Sequence, residues 1–227
     1  MTRVAIIGAG ISGLACARQL AKAGVSVVVF DKGRGIGGRV ATRRAGDLQF
    51  DHGAPFVRAQ RDDFSALLAS LTVDGSAVPW TDDKGVTWTV GSPGMSAIPK
   101  AMGVGLDVRL GTQILKVNAN QSGWHLHYDE TEYVATHIVM TVPKPQIAGL
   151  LGYRHPLIPQ IADVKMEPGL TLMATVSGST PSITPFLPDD PLALITCDNS
   201  KPNRPLNEST AWVAQAGTEF SVTHLEK

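Results

Sequence analysis

The chain has 227 residues, 43% of them hydrophobic, with 20 basic and 20 acidic side chains and a formal net charge of zero. That length can bury a sizeable core in one or two domains, and the balanced charge argues against a nucleic-acid or acidic-membrane partner. No signal peptide fits, no apolar run reaches bilayer length, and Cys16 and Cys197 lack any companion at metal-ligand spacing, so a soluble cytoplasmic protein without a metal is expected.

Val4-Ala5-Ile6-Ile7 is a short continuous apolar run, as a strand buried on both faces should be. Gly8-Ala9-Gly10-Ile11-Ser12-Gly13 follows, and then Leu14, Ala17, Leu20 and Ala21 recur at helical spacing up to Gly24. Val25 to Phe30 reads as a second buried strand with Asp31 at its C-terminal end. This is a βαβ unit with the dinucleotide fingerprint in its first turn. Gly8 permits the tight turn, Gly10 lets a pyrophosphate approach the backbone, and Gly13 lets helix and sheet pack closely. The helix start supplies N–H groups and a partial positive charge for an anion. Asp31 is placed to accept hydrogen bonds from a ribose.

Lys32 to Arg44 is dense in glycine and arginine and reads as a loop facing an anion. Gly37 and Gly38 permit close backbone approach, and Arg39 can fork onto phosphate oxygens. In Phe50-Asp51-His52-Gly53-Ala54-Pro55-Phe56, small residues between aromatics suit a loop passing a flat ring. His52 has no assignable partner carboxylate, so a structural or cofactor-edge role is favoured over general base. Asp62 to Leu71 reads as a helix, with Asp62 as its cap and Phe64, Leu67, Leu68 and Leu71 on one face. Val78–Thr81 and Val86–Val90 read as a hairpin, with Trp80 and Trp88 packed across the strands rather than lining a cavity. Met95 to Met102 reads as a short helical stretch.

From Leu106 to Val142 the pattern is β, with strands at 106–110, 113–117, 124–128, 133–137 and 138–142. His125 and His127 share a strand face, a spacing that suits a metal, but no third ligand is recognisable and a solvated face is expected. Pro143 and Pro145 mark a crossover. Beyond Ile147 the segments are punctuated by proline: strands at 170–176, 192–197 and 211–216, a loop from Pro181 to Pro191, and a helix beginning near Phe220. The expected fold class is α/β, a Rossmann-type domain (parallel sheet plus β-meander) with a smaller, largely antiparallel α+β domain. The expected division is 1–60 and 92–147 for the first domain, 61–91 and 148–227 for the second.

Several stretches in order carry a resemblance: the glycine fingerprint with Asp31-Lys32, Gly37-Gly38-Arg39-x-x-Thr42, Asp51-His52-Gly53-Ala54, Gly91-x-Pro93-Gly94-Met95-Ser96-Ala97-Ile98, Val142-Pro143-x-Pro145-Gln146 and Val164-Lys165-Met166-x-Pro168. The chain resembles the flavin-containing amine oxidase superfamily, and within it the bacterial renalase-like FAD oxidoreductases. That resemblance implies FAD as cofactor. Gly8, Gly10, Ile11, Ser12 and Gly13 would bind the pyrophosphate, and Asp31 the adenosine ribose with Lys32 beside it. Arg39 would contact phosphate, the Gly37-Gly38 backbone would pass close to the cofactor, and the Ile114 main chain would meet adenine. His52, Gly53 and Ala54 would lie near the isoalloxazine.

For renalase-like members the implied substrates are misreduced dihydronicotinamide dinucleotides, with hydride passing to flavin and then to O2. No side-chain acid or base is obligatory on that reading. Two alternatives stand beside it: an oxidase of free amines, for which Lys165 is only a weak candidate lysine, and a non-catalytic nucleotide-binding fragment. An NAD-only Rossmann protein would leave the Gly-Gly-Arg loop unexplained. The chain departs from the family pattern at Pro55, where Gln is usual, and it lacks the family's C-terminal Gly-Asp segment, which leads to the expectation of a truncation.

Overall fold

The computed structural model describes residues 1–178, 191–205 and 208–226. The proline-rich loop expected from Pro181 lies outside the described residues except at Pro191. The chain divides into two compact units: Met1–Gly38 with Met102–Met166, and Arg39–Ala101 with Glu167–Lys227.

The first unit is built on a four-stranded parallel sheet. Its order is His137–Met140, Arg3–Ile7, Ser26–Phe30, Asp107–Arg109. The register runs Val4 to His137 and Ala5 to Val28. The helix Ile11–Lys22 connects the first two strands in sequence and buries Gly13, Leu14 and Ala17. Alternation explains the uninterrupted apolar run of the first strand. Ala5 and Ile7, with Val28 and Phe30, join one core, while Val4 and Ile6 are buried on the opposite face.

That first core is shared with an antiparallel meander, Lys116–Asn120, Gly123–Tyr128 and Thr131–Ala135, through Ile114, Val117, Leu126 and Ala135. Phe30 is its centre, with ring centroids 5.6 Å from Tyr128 and 5.3 Å from Tyr133. The Arg109 guanidinium lies 5.4 Å from the Phe30 ring and 5.3 Å from Tyr133. The segment Asp107–Arg109, expected as a strand over 106–110, is a parallel edge strand beside Ser26–Phe30. At the other edge, His137 is exposed and Ile138–Met140 are half-buried, because one side of an edge strand has no neighbour.

The second unit carries an antiparallel sheet, Thr171–Ser177, Ser209–Ala216 and Leu192–Cys197 in that order, and two hairpins. One hairpin, Arg43–Ala45 with Leu48–Phe50, lies where the sequence suggested the end of a loop and the start of the next. Phe50 packs with Ala211 and Val213, which is why residues 39–60 belong with the second unit rather than the first. Conversely, the helix Lys144–Leu151 buries Leu150 against the meander core, so the first unit extends to Met166 instead of ending at 147. The second hairpin, Ala77–Thr81 with Thr87–Gly91, sets Trp80 directly opposite Trp88. Asp82 organises its turn, accepting Lys84 N–H, Val86 N–H and the Trp88 indole N–H. Burial acts to raise its pKa, and these three bonds, Val86 first, hold it below the ordinary value. The helix Asp62–Val73 forms as expected, but Arg61 is its cap residue and Asp62 its first helical position.

Phe30→Ala should cost about 3–5 kcal/mol, the range for deleting a fully buried ring. Urea unfolding followed by far-UV circular dichroism measures it.

Candidate functional site

In the first unit, the glycine turn joins Arg3–Ile7 to the helix starting at Ile11. Gly8 has φ +112°, a conformation that L side chains rarely adopt. A Cβ there would lie 2.7 Å from Thr141 Oγ1. A Cβ on Gly13 would collide with Gly8 O and approach Thr141 Oγ1 to 2.8 Å. Both glycines are therefore required by the chain itself. Gly10 differs: nothing stands within 4 Å of the position its Cβ would take. It is also the helix N-cap, and it makes no side-chain capping bond because it has no side chain. No acidic residue occupies the first helical turn. The helix thus begins with N–H groups that have no intrahelical acceptor and no side-chain cap, and with a positive dipole end beside a backbone that a ligand can approach closely.

Gly37 and Gly38 meet this turn. Gly37 N–H donates to Ala9 O at 3.0 Å, Gly10 and Gly37 form a parallel bridge, and a Cβ on Gly38 would sit 3.4 Å from Gly10 Cα. Asp31 ties the same region together: one carboxylate oxygen accepts Ala9 N–H at 2.6 Å and the other Gly33 N–H at 2.7 Å. Two carboxylate oxygens have about four acceptor positions, so Asp31 keeps capacity for hydroxyl donors. Lys32 Nζ donates to Gln146 Oε1 at 3.3 Å. The Ile114 side chain is buried in the meander core, which holds the main chain around it in place.

The remaining candidates lie in the second unit. Arg39 is exposed, and its carbonyl accepts Ala54 N–H at 2.9 Å. A Cβ on Gly53 would collide with that same carbonyl, and Gly53 O accepts Gln215 Nε2 at 2.5 Å. His52 is half-buried. The segment 51–54 is thereby pinned by backbone contacts.

The sequence reading missed the group that anchors this segment. Asp51 is fully buried, and so are Asp198, Lys201 and Arg204. One Asp51 oxygen accepts Thr42 Oγ1 at 2.6 Å and Met95 N–H at 2.9 Å. The other accepts Lys201 Nζ at 3.0 Å and Arg204 Nη2 at 2.7 Å. Asp198 accepts Asp51 N–H and pairs with Lys201. Arg204 Nη1 also donates to Gly91 O at 3.0 Å. Two carboxylates and two cations balance. Burial acts to raise the Asp51 pKa, and the Lys201 and Arg204 charges outweigh it and hold the carboxyl below its ordinary range. For Asp198, burial and the Asp51 charge prevail over Lys201 and push it up. Asp51 was visible in the sequence, but the cations that pair with it, Lys201 and Arg204, lie in a stretch without any motif.

In the first unit, His125 contacts Glu132 at 3.0 Å and Ser122 Oγ at 2.8 Å, and His127 contacts Asn118 Oδ1 at 2.7 Å. Among the described residues no group of three or more His, Cys, Asp or Glu is arranged to hold a metal, and no helix is long and apolar enough to cross a membrane.

Two stability contrasts follow from this geometry. Gly13→Ala should destabilise by about 1–3 kcal/mol or more through overpacking, while Gly10→Ala should stay within about 1 kcal/mol of the parent. Asp51→Asn should cost about 3–5 kcal/mol, because it leaves buried cations undercompensated, and Asp198→Asn should cost less. Since the folded Asp51 value is depressed, its stabilisation is present above the unfolded value of about 3.9 and lost as pH falls through the folded value. Asp198 works in the opposite sense, its raised value subtracting stability as pH rises past about 3.9. Urea titrations of the parent and both variants between pH 3 and 7 check these signs.

Residues 6–71 match the NAD(P)-binding Rossmann-like domain family, and residues 80–180 match the family described as flavin containing amine oxidoreductase. The provisionally named flavin-containing monoamine oxidase AofH of Mycobacterium tuberculosis is 37% identical over 70 residues, 31% of this chain and 15% of that protein. Protoporphyrinogen oxidase 2 of Arabidopsis thaliana is 36% identical over 69 residues, 30% of this chain and 14% of that protein. The matched region is thus about one seventh of the length of these curated relatives. Among solved structures, cyclohexylamine oxidase from Brevibacterium oxydans superposes with a TM-score of 0.77 at 14% identity, over 100% of this chain and 77% of that one. That likeness concerns the fold, an α/β architecture with a parallel Rossmann-like sheet and smaller antiparallel sheets. On these two segments, the chain is similar to the NAD(P)-binding Rossmann-like domain family and to the flavin containing amine oxidoreductases.

Proposed function

We propose that this protein is an FAD-dependent oxidoreductase whose first unit holds the ADP part of the cofactor. The observation that carries the reading is the start of the helix Ile11–Lys22, which lacks a side-chain cap and a first-turn acid and stands beside the open position of Gly10. The residues present fit an anionic dinucleotide. The N–H groups of Ile11, Ser12 and Gly13 would face the pyrophosphate, with Gly8 shaping the turn and Gly10 leaving the approach clear. Asp31 would accept the ribose hydroxyls through its remaining acceptor positions, with Lys32 beside it. The Ile114 main chain would meet adenine, and the Gly37-Gly38 backbone would run close to the cofactor. For the second unit we retain the parts that the resemblance implies for Arg39, His52, Gly53 and Ala54.

Bound FAD supplies a ring that accepts a hydride and passes the electrons to O2. The chain's own contribution is to bind, to orient and to exclude water. The renalase-like motifs favour a misreduced dihydronicotinamide dinucleotide as hydride donor, and this is the reading we adopt. A second reading, oxidation of a free amine, is supported by the similarity to the AofH protein and to cyclohexylamine oxidase.

The purified chain should retain a flavin absorption band after FAD addition and gel filtration, and a folded chain without it would overturn the assignment. Arg39→Ala should weaken FAD by about 1.5–3 kcal/mol, the worth of a charged hydrogen bond, as read by titration. Anaerobic addition of 2- or 6-dihydro-NAD(P) should bleach the band. Bleaching by amines instead would select the second reading.

A further inference from the structure

We propose that Thr141 is a positioning residue for the dinucleotide cradle, acting through one peptide plane that it shares with Asp31. The inference rests on the FAD reading above and deepens it.

Thr141 follows the edge strand His137–Met140 and lies far from the glycine turn in sequence. Its N–H donates to Ile7 O at 2.9 Å, prolonging the parallel pairing. Its hydroxyl lies 3.1 Å from Ile7 O and 3.0 Å from Gly8 O, so its one proton is shared between two carbonyls. Gly8 O and Ala9 N belong to the same peptide, and in a trans peptide the two groups point in opposite directions. On the far side of that peptide, Ala9 N–H meets Asp31 Oδ2 at 2.6 Å. A hydroxyl and a carboxylate therefore grip one plane from both ends. The next carbonyl, Ala9 O, is taken by Gly37 N–H at 3.0 Å. With both peptides fixed, the direction in which the chain enters Gly10 and the helix is fixed as well.

The same hydroxyl occupies the space that Cβ atoms on Gly8 and Gly13 would need, at 2.7 and 2.8 Å. Thr141 is thus one reason for glycine at position 8, beside its φ of +112°, and part of the reason at 13. Valine has nearly the volume of threonine but no proton to donate. It would press a methyl group against Gly8 O and leave that carbonyl without its partner.

The test compares the parent, Thr141→Val and Thr141→Ser by calorimetric titration with FAD and, separately, with ADP, alongside the thermal midpoint of each ligand-free protein. ADP isolates the pyrophosphate cradle from the rest of the cofactor. Thr141→Val should lose about tenfold in affinity for both ligands, the equivalent of one hydrogen bond, and Thr141→Ser should recover to within about threefold of the parent. Recovery by serine with little change in the thermal midpoint separates positioning from bulk packing. Parent-like binding of both ligands by Thr141→Val, or equal losses in the valine and serine variants, would overturn the role of the hydroxyl while leaving the FAD reading intact. A parent that binds neither FAD nor ADP would overturn the FAD reading and this inference with it.

Discussion

The turn between Ile7 and Gly10 has to satisfy its own backbone before the helix can offer its backbone to anything else. It does so in full. Gly8 N–H donates to Phe30 O, Ile7 O and Gly8 O are served by Thr141, Ala9 N–H by Asp31 and Ala9 O by Gly37. Backbone groups that are buried and unpaired are rare because each costs about 1–3 kcal/mol. Beyond Gly10, the first N–H groups of the helix have no intrahelical acceptor, and no side chain caps them. A rigid, saturated turn feeding an unsaturated helix end is the physical form of an anion site. It also explains why three glycines in one short motif answer to three different constraints: a backbone conformation at 8, an absent obstacle at 10 and a contact with another carbonyl at 13.

The second unit rests on a constraint of another kind. Four ionised groups without solvent exposure are expensive to assemble, and they hold only where each is paired and hydrogen-bonded. Asp51 meets that condition with four partners from three separate stretches: Thr42, Met95, and Lys201 with Arg204. Such a cluster contributes little net stability over an apolar core, but it tolerates no slippage, since moving any member strands a charge. It fixes residue 51 from both its side chain and its N–H, and so it sets where His52, Gly53 and Ala54 begin.

The βαβ unit was legible in the sequence because its signals are local: a double-faced apolar run, a spaced glycine motif and an acid at the end of the next strand. What escaped was non-local or disguised. Thr141 and the Asp51 cluster depend on residues far apart in the chain, with no spacing rule to connect them. Pro143 and Pro145 suggested an irregular crossover, yet Pro143 caps the helix Lys144–Leu151 and Pro145 sits in its first turn, where a missing N–H costs nothing. The hairpin at 43–50 was hidden by the arginine and glycine content of its first strand and turn. Asp107–Arg109 carries an alternating polar pattern, which an edge position allows but which does not advertise a parallel sheet. Trp80 and Trp88, by contrast, were readable as a cross-strand pair, because a short hairpin fixes its own register.

Each unit is assembled from two stretches of chain, and the stretches interleave. This has a consequence for the order of events as the chain leaves the ribosome. The parallel pairing of Val4 with His137 closes a loop that contains the whole of residues 39–101, so the first sheet cannot be completed when its first two strands emerge. The intervening stretch meanwhile exposes Phe50 and Asp51 without the strands and cations that later receive them. Contacts of such high sequence separation are slow to form, because the entropy of closing the loop is spent before any contact repays it. The first unit can close once residue 166 is available, while the second must wait for Arg204 and the strand Ser209–Ala216. Among the described residues, the segment around Asp51 is therefore the one with the longest interval between synthesis and burial.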